Sequence, residues 1–236
     1  MTEAVLELTD VSKNYYGLRP LRIASLSVAA GEQVALVGFD QVSAEVFVNL
    51  VTGATLPEGG AIRLFGRPTS DIKDAGEWMK VVDRVGIVSR RAVLLEALTV
   101  VQNLSMPYTL EVEPPSAEVR ERAMALAADA GVPESAFDRP IAELGPTDLF
   151  RVRFARALAL NPSIMLFEHP TAEMPSADIP VVAERCRRVS SKRNIATVVL
   201  TADRQFADAS ASRVLSWQPA TGRLIGGGWL SRFIRA

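Results

Sequence analysis

The chain has 236 residues, of which 48% are hydrophobic and 22% are charged, a composition typical of a globular protein with a sizeable core and not of a disordered one. Its 26 Lys and Arg residues nearly balance its 27 Asp and Glu residues, so no overall basic field would attract nucleic acid or anionic lipid. One cysteine, Cys186, and one histidine, His169, exclude an internal disulfide and a histidine-rich metal site, and they fit a reducing cytoplasm.

The first third of the chain reads as strands around one helix. The alternation in "AVLELTDVSKNYYG" predicts a strand of an antiparallel sheet that breaks at Gly17. The segment "IASLSVAAGEQVALVG" predicts two further strands, the second buried and ending at Gly38. In "SAEVFVNLVTG" the apolar residues recur at helical spacing, with Ser43 as the cap and Gly53 at the end. A hairpin strand in "GGAIRLFGRP" and a buried strand in "RVGIVS" follow.

The pattern then becomes helical from about Thr99 to Leu160, with prolines between the segments, and returns to buried strands in "SIMLFEHPT", "IATVVLTAD" and "SRVLSWQ". A helix in "IPVVAERCRRVSSKRN" lies between the first two of these strands. This order predicts a single α/β domain, 1–236, with a core of 1–98 and 162–236 and a helical insertion of 99–161. We expect a parallel strand at Ile164–Phe167 beside the strand at Val34–Val37.

Five segments follow one another along the chain: "VSKNYYG", "GFDQVSAEV", "RVGIVSRRAVLLEALTVVQNL", "IAELGPTDLFRVRFARALALNPSIMLFEHPTA" and "TVVLTAD". In their order and spacing they resemble the nucleotide-binding subunit of an ATP-binding-cassette (ABC) transporter. The resemblance covers nearly the whole chain. It implies a P-loop NTPase-like ABC cassette, with a mixed-sheet core, an antiparallel β subdomain and an inserted helical subdomain.

"GFDQVSAEV" takes the place of the family's phosphate loop, G-P-N-G-A-G-K-S-T. The resemblance thus assigns a degenerate nucleotide site to Tyr15, which would stack on adenine, and to Gly38, Phe39, Asp40, Gln41, Val42, Ser43, Ala44, Glu45 and Val46. Ala44 removes the lysine that neutralises phosphate, and Glu45 replaces the metal-ligand serine with an anion. Each like charge would cost about 4 kcal/mol at ~4 Å and an effective dielectric near 20. Glu45 also has a purely structural interpretation, in which it stabilises the first helical turn and, with Asp40, stands in for phosphate.

The other family motifs are altered as well. Arg90 takes the position of the metal-binding Gln, His169 that of the catalytic Glu and Ala202 that of the switch histidine, while Glu168 takes that of the metal-binding Asp. The signature L-S-G-G-Q reads Leu144, Gly145, Pro146, Thr147, Asp148, in which the proline lacks an N–H and the aspartate adds negative charge. His169 is either a base or a structural residue. Because phosphoryl transfer depends on positioning and charge neutralisation, we expect no intact catalytic set and no metal site.

Three functions remain open from the sequence. The chain is a non-hydrolysing, structural or regulatory subunit of a transport complex, a soluble scaffold or regulatory protein that reuses the fold, or a weakly active ATPase of an ABC transporter. The expected partners are a membrane permease subunit and an active ABC paralogue, with no nucleic acid and no cofactor beyond the Mg-ATP that the resemblance implies. Because no apolar run reaches the roughly 20 residues that span a bilayer, we expect a cytoplasmic protein peripheral to the inner face of the membrane.

The resemblance also bears on docking and assembly. In the family a cleft beside the helical lobe receives a short helix of the membrane subunit, and Leu94, Leu95 and Leu98 are candidates to line it. Two cassettes of the family meet head to tail, which would bring Asp40 and Glu45 of one copy toward Asp148 of the other. Such like-charge contacts predict against an ATP-driven homodimer.

Overall fold

The computed structural model describes residues 4–15 and 17–226, which form two sheets and a set of surrounding helices. In chain order the elements are β1 (Ala4–Lys13), β2 (Leu21–Ala29), β3 (Gln33–Val37), α1 (Gln41–Val51), β4 (Gly59–Leu64), β5 (Arg67–Pro68), α2 (Ala75–Val82), β6 (Val85–Val88), α3 (Val100–Ser105), α4 (Ala117–Ala130), α5 (Pro146–Ala157), β7 (Ile164–Glu168), α6 (Ile179–Lys192), β8 (Ala196–Thr201), α7 (Arg204–Ser210), β9 (Arg213–Gln218) and β10 (Arg223–Gly226).

The smaller sheet is antiparallel and has the order β2-β1-β4-β5. Leu6 and Leu8 of β1 lie opposite Leu64 and Ile62 of β4, so alternate apolar residues share one buried face. This arrangement confirms the antiparallel sheet expected from the alternating pattern of the N-terminal segment.

The larger sheet has the order β10-β9-β3-β8-β7-β6, and all its neighbours are parallel except β10 and β9. The strand at Ile164–Phe167 is therefore parallel to the strand at Val34–Val37, as expected. The expectation that the two are immediate neighbours is wrong, because β8 lies between them. The strands β3, β7 and β8 are each buried along nearly their whole length, and buried runs of this kind carry no information about which strand lies next to which.

The two faces of the larger sheet belong to two different hydrophobic layers. Leu36 and Leu166 point toward α1 and the antiparallel sheet, whereas Ala35 and Phe167, their neighbours in sequence, point toward the helical region. Phe150 and Phe154 of α5 stack near Phe167, with ring centroids 6.5 and 5.8 Å from it. Helices and sheets are thus joined through β3 and β7, whose side chains alternate between the layers.

Three short elements, α2, α7 and β10, were not expected from the sequence. The region 99–161 contains α3, α4 and α5, as the helical pattern predicts. The division into a core of 1–98 and 162–236 and an insertion of 99–161 stays a prediction. Helix α5, which this division assigns to the insertion, packs directly on the sheet at Phe167. The longest helices in the described part of the chain have 14 residues, and none of them is long and apolar enough to cross a bilayer.

Candidate functional site

The turn after β3 is attached to the hydrophobic core. Gly38 has a φ of +105°, and a Cβ at this position would lie 3.4 Å from the carbonyl oxygen of Trp217, so glycine suits both the backbone conformation and the space. Phe39 is 1% exposed, stacks on Trp217 with ring centroids 4.3 Å apart and meets Phe47 edge to face at 5.7 Å. Phe39, which the resemblance places among the nucleotide-site residues, is therefore a core side chain that anchors the loop.

Helix α1 begins at Gln41, so the expected cap at Ser43 is wrong. Asp40 is the N-cap: its Oδ1 accepts from the backbone N–H of Ser43 at 2.7 Å and from the Ser43 hydroxyl at 2.6 Å. The Ser43 Oγ in turn accepts from the Asp40 N–H at 3.0 Å, which completes a capping box. These hydrogen bonds from Ser43 lower the pKa of Asp40, and nearby His169 lowers it further. The positions of the family's two later loop glycines, Gln41 and Ser43, thus lie inside the helix.

Glu45 does not stabilise the first turn of α1, contrary to its structural interpretation. It is the fifth residue of the helix, and no acidic residue lies in the first turn. Its Oε1 is instead 3.3 Å from Nη1 of Arg91. Ala44, beside it, is fully buried. Asp40 alone among these acidic residues therefore occupies the helix N-terminus.

Arg91 connects α1 with the end of β7. Its Nε lies 3.2 Å from Oε1 of Glu168 and its Nη2 lies 3.0 Å from Oε2, while Nη1 reaches Glu45. The Glu168 side chain is 4% exposed, so this guanidinium is the counter-ion of a buried carboxylate. The family resemblance points to Arg90 and not to Arg91. Arg90 lies on the surface, where it pairs with Glu173 at 2.6 Å. Two consecutive arginines gave no signal as to which of them turns inward.

His169 follows Glu168 in a left-handed conformation, with a φ of +45°. Its backbone N–H donates to the carbonyl of Leu200 at 2.9 Å. Its Nε2 is buried and has no hydrogen-bond partner within the ranges 4–15 and 17–226. The imidazole lines a small cleft with Glu168, Arg90 and Arg153, and the volume of about 20 Å³ holds about one water molecule.

Tyr15 lies near Asp40, and Ala202 follows Thr201, whose carbonyl accepts from the N–H of Gly38 at 3.2 Å. Tyr15 is half-buried, and burial, followed by the negative charge of Asp40, raises its pKa. An adenine-stacking role for Tyr15 remains a prediction. Ala202 precedes Asp203, whose carboxylate caps α7 by accepting from the N–H of Phe206 at 3.1 Å.

The signature-equivalent residues form the start of α5. Gly145 is the N-cap and Pro146 occupies the first helical position, where its missing N–H leaves no hydrogen bond unmade. Thr147 donates its hydroxyl to Oδ2 of Asp178 at 2.5 Å. Asp148 pairs with Arg151 at 2.7 Å, and Glu45 shares Arg91 with Glu168, so like-charge repulsion in a homodimer would be weaker than the sequence suggests.

A groove of about 360 Å³ lies between the segment after β6 and the helical region. Its lining includes Val93, which is 72% exposed, and Leu94, together with Arg90 and Arg153. Of the three leucines that the resemblance makes candidates for a docking cleft, Leu94 lines this groove, whereas Leu95 and Leu98 are not part of its lining. The remaining lining residues are Glu96, Ile141, Ala142, Leu144 and Leu149. Among the described residues no group of three or more His, Cys, Asp or Glu side chains could hold a metal ion.

A parallel sheet with a glycine turn and a helix after β3, and with an acidic residue at the end of β7, defines the P-loop NTPase-like cassette fold. Two solved cassettes share it at low sequence identity. CbiO1 of Clostridium perfringens, part of the ABC transporter complex cbiONQ, superposes with a TM-score of 0.80 and 22% identity over 99% of this chain and 92% of its own. The bacterial ABC transporter cassette MJ0796 does so with a TM-score of 0.75 and 24% identity, over 93% and 96% of the two chains.

Sequence comparison identifies the family within this fold. The family model described as ABC transporter matches residues 21–172. The ABC transporter ATP-binding protein YtrE of Bacillus subtilis is 31% identical over 194 residues, 82% of this chain and 83% of its own. The lipoprotein-releasing system ATP-binding protein LolD of Psychrobacter arcticus is 28% identical, over 90% of this chain and 95% of its own. The chain therefore belongs to the ABC transporter family.

Proposed function

We propose that the chain is a non-hydrolysing ATP-binding-cassette subunit of a membrane transport complex, located at the cytoplasmic face of a permease. One observation carries the proposal: the carboxylate of Asp40 already caps the helix that would receive phosphate. The names of the relatives, which are ATP-binding proteins of ABC transporters, support the wider assignment to a transport complex.

The phosphate site is occupied by the chain's own groups. A helix N-terminus binds phosphate through free backbone N–H groups, aided in phosphate loops by a lysine. Here the N–H of Ser43 already donates to Asp40, and the lysine position holds the fully buried Ala44. A triphosphate would have to displace a carboxylate from its cap and would meet Glu45 in the next turn. The residues of this loop do not fit Mg-ATP.

The groups that assist hydrolysis are also unsuited to it. The buried carboxylate of Glu168 is neutralised by Arg91 and is not free to hold Mg²⁺. His169 replaces the carboxylate of the family, and Ala202 carries no polar side chain. Since phosphoryl transfer requires a metal ion, a positioned nucleophile and neutralised oxygens, the site lacks what hydrolysis needs.

The groove beside the helical region is the proposed docking site for the permease. Its exposed Val93 and its Leu94 offer an apolar surface, while Arg90 and Arg153 add positive charge. Burial lowers the pKa of Arg153, and its Nε lacks a hydrogen-bond partner in the described structure. The occupant that fits is a short amphipathic helix of a membrane protein, with an apolar face and a carboxylate.

Calorimetry with Mg-ATP and a hydrolysis assay test the proposal. We expect a dissociation constant no tighter than about 1 mM, which corresponds to roughly −4 kcal/mol. The Glu168→Gln variant is the control for hydrolysis, because an activity that this variant retains does not come from this site. Micromolar binding by the wild type, or hydrolysis that Glu168→Gln abolishes, would establish a weakly active ATPase instead.

A further inference from the structure

We infer that Arg91 is a built-in cation that fixes one wall of the groove, the segment 89–96, without metal or nucleotide. The inference rests on the proposed function in taking the groove as a docking surface. It goes further in stating that this surface is already formed in the isolated chain.

The guanidinium of Arg91 lies between the carboxylates of Glu168 and Glu45. Arg91 uses Nε and Nη2 for Glu168 and Nη1 for Glu45, so its planar fork joins the end of β7 to α1. Glu168 and Glu45 stand at the two positions that the family resemblance assigns to metal ligands. An arginine fork suits such paired carboxylate recognition, and it supplies the positive charge from within the chain.

Glu168 is the buried member of this group of three charged side chains. Its side chain is 4% exposed, whereas the side chains of Arg91 and Glu45 are 40% and 43% exposed. A buried carboxylate without a counter-ion is strongly unfavourable, so Glu168 keeps Arg91 in place. The contact to Glu45 lies nearer to solvent and is correspondingly weaker.

The ion pair of Arg91 and Glu168 lies close in sequence to the groove wall. Arg91 precedes Val93 and Leu94, which line the groove, by only two and three residues. The second half of the segment is held by contacts that do not involve Arg91. Arg156 donates to the carbonyl of Val93 at 2.5 Å, and the side-chain amide of Asn103 hydrogen-bonds to both the N–H and the carbonyl of Leu95. The segment is thus fixed at both ends, at the first by Arg91 and at the second by the helical region.

Hydrogen exchange of the full-length chain, read by mass spectrometry, tests the inference. The amides of Arg91 and Ala92, which donate to Ser89, report on the segment. In the wild type we expect protection that millimolar Mg-ATP does not change. In Arg91→Ala we expect exchange to accelerate by about tenfold or more, because removing one partner of a buried ion pair is strongly unfavourable. Arg90→Ala, which breaks only the surface pair with Glu173, should match the wild type.

A second variant separates positioning from general stability. Adding Glu168→Gln to Arg91→Ala removes the unpaired charge, so the melting temperature should recover while the segment 89–96 still exchanges fast. Equal protection in Arg91→Ala and wild type, or equal acceleration in Arg90→Ala, would overturn the inference and leave the proposed function standing, because neither comparison involves nucleotide, a partner or an ATPase assay. A change in the wild type on adding Mg-ATP would count against the inference and, because it reports nucleotide binding, against the proposed function as well.

Discussion

At the level of single residues, the polar side chains of the loop after β3 and of the end of β7 pair with groups of the same chain. Asp40 accepts hydrogen bonds from the N–H and the hydroxyl of Ser43, and Arg91 is the counter-ion of the buried Glu168. Under the proposed function, these side chains stand in for phosphate and metal. His169 is an exception, because its buried Nε2 has no hydrogen-bond partner among the described residues.

Replacing Asp40 by Ala tests the cap. At pH 7 we expect a loss of about 1 kcal/mol in the free energy of unfolding, the usual cost of removing an N-cap. Because hydrogen bonds from Ser43 lower the folded-state pKa of Asp40, the charged cap stabilises above the unfolded pKa and is lost as the pH falls through the lowered value. The difference between wild type and variant should therefore shrink below about pH 4. Urea denaturation at pH 7 and at acidic pH measures it.

Asp40→Asn is the matched control, because asparagine also caps helices and does not titrate. It should stay close to the wild type at pH 7. A difference between wild type and Asp40→Ala that is constant over the whole pH range would contradict the assigned cap.

At the scale of elements, one buried amide holds the loop before α3 in place. Asn103 is fully buried, and its Oδ1 accepts from the N–H of Leu95 at 2.8 Å. Its Nδ2 lies within hydrogen-bond distance of the carbonyls of Leu95, Leu98 and Thr99. A single side chain thus replaces regular backbone pairing in a segment that is neither helix nor strand.

Replacing Asn103 by Ala should lower the free energy of unfolding by about 1–3 kcal/mol, since buried backbone groups would lose their partner. Asn14, which donates to Glu58 at an exposed position, provides the comparison. Asn14→Ala should change stability by no more than about 0.5 kcal/mol. Equal midpoints of chemical denaturation for the two variants would show that the loop does not depend on Asn103.

At the scale of the whole molecule, the groove and the nucleotide loop are parts of one structure. The groove wall follows β6, whereas the loop follows β3, and the two strands are separated in the sheet by β8 and β7. Arg91 belongs to the segment that forms the groove wall, and its side chain contacts Glu45 of α1 and Glu168 of β7. If the inference about Arg91 holds, a partner in the groove contacts a surface whose shape depends on the ion pair between Arg91 and Glu168.

Capture from detergent-solubilised membranes tests the docking surface in the assembled complex. We expect the wild type to retain a polytopic membrane protein and Val93→Asp to lose most of it, because a charge in an apolar contact is costly. Met79→Asp is the control, since Met79 is 57% exposed on α2 and is not part of the groove lining. Equal capture by both variants would exclude the groove, and recovery of soluble proteins alone would favour a scaffold role.

The residue patterns along the chain were sufficient to predict the fold class, the family and the residue types at each family motif. Alternation, buried apolar runs and glycine turns predicted both sheets and α1, and the comparisons confirmed the family that the five segments suggested. The assignment of Ala44 to the family's lysine position and of His169 to its catalytic Glu position is a prediction that needs no coordinates, because it depends only on the order of the residues.

Which groups lie in contact followed only from the packing of segments that are distant in the chain. The tertiary structure placed β8 between β3 and β7, moved the cap from Ser43 to Asp40, and selected Arg91 over Arg90 as the counter-ion of Glu168. Arg91 and Glu168 are 77 residues apart, and Arg91 and Glu45 are 46 apart. Local patterns do not encode such contacts, because the direction of a side chain in an irregular segment depends on the charges and the burial that the rest of the fold brings to it.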